Sequence, residues 1–408
     1  MKRFITAVLS AASVFAILLC PISSAFEYGI NDDTALITGR FGFEQPVEAT
    51  YAEIGKTLDA GSVILVEGST GTVLYEDNAD ERRPIASITK VMTLILVMEA
   101  IERGDISLDD RVETSIHAYS MGGSQIWLEP GEIMTVDELL RAVCVASAND
   151  AAVLLGEYVG GSEAAFVGMM NDKAEQLGMK DTTFKNACGL DEDGHLSTAR
   201  DVAVMSRELL RHNLIRKYVT IWTDELRGGE TQLVNTNKLL KSYSGITGLK
   251  TGTTSKAGVC ISASAIRNDM EIIAVVLGSS DSAGRLQAAT DLLDYGFANY
   301  ELAPVTVSSD RLSRVSVRLG EKQYCPLYFD VPESIVVSAG RASAVDCDVV
   351  LSETLDAPVI QGQTVGEINI MCEGEILGSY EIKAAETVEK LTVGSAFTLL
   401  ARALLGIE

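Results

Sequence analysis

The sequence predicts an α+β protein: an antiparallel sheet flanked by helices, with a helical subdomain, followed by a small all-β domain. Three observations carry that expectation. Strand-like alternation opens the chain after a short leader, in "GSVILVEGSTGTVLYED", and returns from Ala257 in "AGVCISASAIRNDMEIIAVVLGSS". Between them, residues 135–215 are mostly helical, so the sheet has to be closed by segments distant in sequence. Beyond Pro304 the pattern shortens to alternating runs such as "RVSVRLG" and "SIVVSAG", which read as a separate β unit. With 408 residues and 47% hydrophobic composition, the chain can bury a full core and divide into domains.

Taken in order, residues 1–25 read as a secretory signal peptide. Lys2 and Arg3 precede an apolar stretch over 4–20, and Ser23 and Ala25 form a small-residue cleavage site. An uncleaved anchor is the other reading of that stretch. A leader occupies 26–50, and the main domain is expected over 51–300. It begins with strands at 63–67 and 72–76 around the turn Gly68-Ser69-Thr70-Gly71. Pro84 marks a turn into a helix over 88–101, free of Gly and Pro and apolar on most sides, which ends near Gly104. "TVDELLRAVCVA" opens with the capping box Thr135…Glu138, and "DAAVLLGEYVGG" stops on paired glycines. Two strands joined at Asn268-Asp269 and a helix over 285–295 complete this domain. The β-rich domain covers 301–387, with a turn at Glu373-Gly374. Over 388–408, Val393, Phe397, Leu400, Leu404 and Ile407 form an apolar helical row too short to span a bilayer. This tail lies either on a membrane surface or against its own protein.

Charge and residue usage exclude several function classes. The formal charge of −24 becomes −26 once residues 1–25 are removed, with 31 basic against 57 acidic side chains. Such a surface repels nucleic acid and anionic membranes, so no nucleic-acid partner is expected, and an anionic substrate needs a local basic pocket. Cys144, Cys188, Cys260, Cys325, Cys347 and Cys372 remain after cleavage, with no C-x-x-C pair. They read as small buried apolar residues, with pairing left open. The histidines are His117, His195 and His212, without H-E-x-x-H, so a histidine-bound zinc site is not expected.

The chemistry lies in three short patterns. Ser87 and Lys90 stand three residues apart at the head of an apolar helix, a spacing that puts hydroxyl and amine on one face. Ser147-Ala148-Asn149 falls in the break between two helices, and Lys250-Thr251-Gly252 leads into a strand. Each pattern occurs once, in the order S-x-x-K, S-x-N, K-T-G found in penicillin-binding proteins and class A β-lactamases. A serine hydroxyl needs a base, and Lys90 can serve if burial and a second cation, Lys250, lower its proton affinity. Ser147 can relay a proton to a leaving amine, and Asn149 can orient a substrate amide. Lys250 and the Thr251 hydroxyl suit a substrate carboxylate, while Gly252 lets a peptide backbone lie close. At a helix N-terminus, Ser87 also brings free N–H groups to the point of attack.

With "MGGSQIWLEPGE", "DTTFKNACGLDEDGHLSTARD", "GLKTGTTSKAGVC" and "APVIQGQTVGEINI" in order, the chain resembles the secreted serine-type D-alanyl-D-alanine carboxypeptidases, the low-molecular-mass penicillin-binding proteins, over about residues 45–385. The resemblance implies a penicillin-binding/β-lactamase-like fold and removal of the terminal D-alanine from peptidoglycan stem peptides. It implies that Ser87 is acylated, Lys90 is its base, Ser147 assists, and the N–H groups of Ser87 and Thr253 make the oxyanion hole. β-Lactams would be covalent inhibitors, no metal or cofactor would be needed, and the C-terminal helix would hold the exported enzyme on the outer face of the cytoplasmic membrane. One departure concerns the carboxylate pocket: some relatives carry an arginine where this chain has Thr236, which shifts that role to Lys250, Thr251 and Thr253. A D,D-endopeptidase is the nearest alternative. A β-lactamase lacks support because no E-x-x-L-N string lies between Asn149 and Lys250, and a catalytically silent penicillin-binding sensor is disfavoured by the intact motifs.

Overall fold

The computed structural model describes residues 54–308 and 312–405. The expected signal peptide, the whole of the leader over 26–50 and Ile407 lie outside the described residues. Strand β1 (Ser62–Glu67) turns back into β2 (Val73–Asp77). A 3-10 turn (Ala86–Thr89) then runs into α1 (Lys90–Glu102). The expected helix start at Ile88 is therefore tightened into a different local structure. Ala86 stands at φ 47, Ile88 N–H donates to Ile85 O at 3.1 Å, and regular helix begins only at Lys90. Ten residues of α1, Lys90 among them, are buried, so this is a central helix covered on most sides.

The helical subdomain follows: β3 (Arg111–Glu113), α2 (Ile116–Tyr119), β4 (Ile133–Thr135), α3 (Val136–Arg141), α4 (Asn149–Gly160), α5 (Glu163–Gln176) and α6 (Ala199–Arg211). Thr135 and Glu138 close the capping box at the start of α3, and Gly161 ends α4 at φ 76. Glu99, Glu208 and His212 converge where α1 and α6 meet. Their carboxylates are already matched by Lys173 of α5, whose ammonium pairs with Glu99 and lies 3.5 Å from Glu208.

Strands β5 (Thr223–Leu226) and β6 (Thr231–Val234) form a small hairpin before β7 (Ile246–Thr254), β8 (Gly258–Arg267) and β9 (Met270–Ser279). The main sheet has the order β2-β1-β9-β8-β7, antiparallel throughout. Ser62 pairs with Leu277, which is the long-range closure expected from the sequence. Asn268 and Asp269 both take positive φ, 49 and 62, as the two-residue hairpin requires. Helix α7 (Ser282–Asn299), capped by Asp281, packs Ala288, Ala289, Leu292 and Leu293 on the face formed by Leu65, Ile261, Ala263, Ile272 and Ala274. On the opposite face of β8, Ser262 Oγ meets Ser206 of α6 at 2.7 Å. Truncating Leu292 to Ala would cost about 2–5 kcal/mol by the usual scale for buried leucines.

The remaining strands are β10 (Tyr300–Pro304), β11 (Arg314–Arg318), β12 (Tyr324–Phe329), β13 (Ser334–Ser338), β14 (Val345–Leu351), β15 (Thr354–Asp356), β16 (Thr364–Cys372) and β17 (Glu375–Ala384). Six of them make a second sheet, β14-β16-β17-β12-β11-β15, over a core that includes Val315, Cys325, Val359, Ile368 and Ile382. All six cysteines after the signal region carry free thiols. Helix α8 (Val393–Leu405) ends the described chain. Val393 and Leu404 are 91% and 80% exposed, and Phe397 and Leu400 are exposed with them, so the row does not dock on the protein itself. No helix among the described residues is long and apolar enough to cross a membrane.

Candidate active site

Three chain segments meet at Ser87. The 3-10 turn presents Ser87 half-buried, and one step later α1 carries Lys90 into the interior, where it is fully buried. A π-turn over Ala142–Ala146 ends on Ser147 at φ 58, a left-handed backbone that separates α3 from α4 and brings Ser147 to Lys250 and Asn149 to Lys90. β7 forms the third wall. Gly252 comes so close that a Cβ there would lie 2.9 Å from both Ile85 O and Ser87 N. Contrary to expectation, Lys250-Thr251-Gly252 does not lead into a strand but lies within β7, an edge strand of its own. Glycines at 248 and 252 disguise the strand in the sequence, because glycine is usually depleted there.

Lys90 Nζ has three neighbours: Ser87 Oγ at 2.9 Å, Asn149 Oδ1 at 2.6 Å and Cys188 O at 2.8 Å. The amide orientation of Asn149 is fixed from its other end, since Nδ2 donates to Gly122 O at 2.6 Å. Burial brings the Lys90 ammonium down to about 8 from its ordinary 10.5, against an opposing pull from Asp150. Lys250 Nζ donates to Ser147 Oγ at 2.8 Å and to Thr251 O at 3.0 Å. It is only 2% exposed, and burial first and Lys90 second hold its proton affinity well below normal. The expected influence of one lysine on the other is thus resolved at Lys250, while burial dominates at Lys90. Thr251 Oγ1 donates to Thr236 Oγ1 at 2.7 Å, which brings the residue at the arginine position into contact with the third motif. Thr253 is exposed, its hydroxyl donating to Gly252 O at 2.8 Å, and Lys238 is exposed as well.

Several supporting residues gave no signal in the sequence beyond lying in quoted segments. Cys188 supplies a carbonyl rather than a thiol. Gly189, at φ 87, sits so close that a Cβ would fall 1.9 Å from Ala86 O, which pins the turn bearing Ser87. Lys185 N–H donates to His195 Nδ1 at 3.3 Å, so the network assigns the imidazole proton to Nε2, which meets Thr89 Oγ1 at 2.8 Å. Burial drives the His195 pKa down to about 4, so it stands neutral behind the site. Asp150, 1% exposed, accepts from the N–H groups of Ile126 and Leu128, both at 3.1 Å, and ties the 121–128 loop to α4.

Residues 47–281 match the D-alanyl-D-alanine carboxypeptidase family. The chain belongs to that family. Residues 300–390 match the C-terminal domain of penicillin-binding protein 5. The D-alanyl-D-alanine carboxypeptidase DacF of Bacillus subtilis is 42% identical over 336 residues, covering 81% of this chain and 86% of DacF. The fold is similar to penicillin-binding protein 5 from Haemophilus influenzae, with TM-score 0.75 and 29% identity, covering 83% of this chain and all of that one (100%). It is also similar to penicillin-binding protein D2 from Listeria monocytogenes, solved in a cefotaxime-bound form. That match has TM-score 0.56 and 34% identity and covers 60% of this chain and 99% of that one. The chain is a serine D-Ala-D-Ala carboxypeptidase of the low-molecular-mass penicillin-binding class, with a catalytic domain of helices and sheet followed by an all-β domain.

Proposed function

We propose that Ser87 is the residue acylated in this carboxypeptidase and that Lys90, as a neutral amine, is its base. The observation that carries this is the set of partners around Lys90 Nζ. Asn149 Oδ1 and Cys188 O can only accept, so a neutral amine spends both N–H groups on them and turns its lone pair to the Ser87 O–H. Ser87 Oγ then attacks the carbonyl carbon of the penultimate D-alanine while its proton passes to Lys90. The resulting oxyanion would rest on the N–H groups of Ser87 and Thr253, which Gly252 allows to stand close together. Collapse breaks the peptide bond, and Ser147, linked to Lys250, delivers a proton to the leaving D-alanine nitrogen. The Lys90 ammonium passes its proton on to Ser147, which restores both groups; water then attacks the ester carbonyl while the neutral Lys90 takes its proton, and that proton returns to Ser87 Oγ as the ester bond breaks.

Asn149 has one amide N–H left for the substrate carbonyl after bonding Gly122. Thr251, Thr253 and Lys250 would receive the terminal carboxylate, with Lys250 acting from behind Ser147. The domain limits 51–300 and 301–387, export by residues 1–25, and attachment of the 388–408 helix to the outer face of the cytoplasmic membrane belong to the same reading. Exposed Val393, Phe397, Leu400 and Leu404 on α8 support the last of these. The test is to incubate the full mature chain with a stem pentapeptide and with a crosslinked dimer. D-alanine release from the pentapeptide, abolished by Ser87→Ala, is expected. Faster conversion of dimer to monomer would instead make it a D,D-endopeptidase.

A further inference from the structure

The C-terminal turns of α1 and α6 meet, and they carry Glu99, Glu102, Glu208 and His212. His212 Nδ1 lies 2.9 Å from Glu102 Oε1, and a carboxylate oxygen accepts, so this nitrogen holds the proton. In the neutral ring, Nε2 is then a bare lone pair. His212 is 7% exposed and Glu208 9%, and neither His212 Nε2 nor Glu208 Oε2 has a hydrogen-bond partner among the described residues. One ligand atom from each of Glu99, Glu208 and His212 lies within 4.8 Å of the others. A lone pair and two carboxylates thus converge, and two of their buried atoms go unanswered.

The cations nearby do not answer them. Lys173 pairs with Glu99 and approaches Glu208 through their Oε1 atoms. Arg211 stops 3.6 Å from Glu208 Oε2 and Arg103 stops 3.9 Å from Glu99 Oε2, and Arg103 already donates to Asp105 at 2.8 Å. Glu99, Glu102 and Glu208 bring three carboxylates to the one largely enclosed ammonium of Lys173, beside two helix C-termini that are negative as well. A dication restores the balance. Imidazole with carboxylate oxygens suits zinc, and a histidine whose other nitrogen is held by a carboxylate is the usual arrangement behind that ion. Zinc bonds of about 2.0–2.1 Å set tetrahedral ligands about 3.3 Å apart, so the donors close by roughly an ångström or more through glutamate rotation. We propose that Glu99, Glu208 and His212 form a zinc site that ties the end of α1 to the end of α6, with Glu102 orienting the imidazole. Glu99 stands about 13 Å along α1 from Lys90, so the ion is structural and takes no part in acylation.

The test titrates zinc alone into the full mature chain, stripped beforehand with a chelator, by calorimetry and by thermal melting. One ion per chain and a higher Tm are expected. His212→Gln and Glu208→Gln should each weaken binding tenfold or more, and Glu102→Gln about tenfold, as loss of an orienting carboxylate does. Lys173→Met should tighten binding by about tenfold, because the ammonium competes for the same carboxylates. That gain decides the matter even if a weakened variant fails to fold. Penicillin acylation by the stripped chain should match the zinc-loaded rate. Binding only at millimolar zinc, or weaker binding in Lys173→Met, would overturn the proposal. So would an unchanged affinity in His212→Gln, which would put the ion elsewhere, as at the exposed pair His117 and Glu163. Acylation lost with the zinc would overturn its structural role.

Discussion

Acylation should follow the proton on Lys90. Burial lowers its pKa from 10.5 to about 8. At pH 7 that leaves roughly a tenth of the molecules with a free amine, against about one in three thousand for an ordinary lysine, a gain of roughly 300-fold or about 3 kcal/mol. The second-order rate constant for acylation by a labelled penicillin, measured at low concentration between about pH 6 and 9.5, should rise close to tenfold per pH unit and level off above about pH 8. Lys90→Ala should abolish it, because no other base lies within hydrogen-bond reach of Ser87 among the described residues. A flat profile, or one still climbing at pH 9.5, would refute the reasoning, since the amine would then be either uninvolved or ordinary.

Two further outcomes follow from the packing around the site. Gly252→Ala puts a Cβ 2.9 Å from Ile85 O and Ser87 N, backbone atoms that cannot rotate away. Reaching ordinary contact needs a shift of about half an ångström, so acylation should fall by about tenfold or more in a protein that melts near the wild-type temperature. A wild-type acylation rate would mean β7 does not hold that wall. His195 is neutral when folded, with pKa about 4 against 6.5 unfolded. Between those values the unfolded chain binds the proton that the folded one refuses, so stability is lost as pH falls from about 6.5 to 4, by roughly 3 kcal/mol. Urea unfolding across that window should show a smaller loss in His195→Gln, and parallel curves would rule out the contribution.

Ser87, Lys90, Ser147, Asn149 and Lys250 were legible because their chemistry is carried by residue type at short spacing. The α+β layout was legible because hydrophobic period changes along the chain. What stayed hidden depends on chain segments that meet only after folding. Cys188 contributes a backbone carbonyl, which any residue could supply. Gly189 matters for the room it leaves beside Ala86, and β7 is a strand despite its glycines because it pairs along its length with β8. The 3-10 turn at Ser87 was missed for the same reason: Ala86 at φ 47 is imposed by its neighbours and not by alanine.

The central claim is that Ser87 carries the acyl group. Mass spectrometry of the full mature chain after reaction with a penicillin, with peptide mapping of the adduct, tests it most directly. A single adduct on the peptide containing Ser87, absent in Ser87→Ala, is the expected result. An adduct on Ser147 or any other residue, or undiminished labelling of Ser87→Ala, would contradict the account.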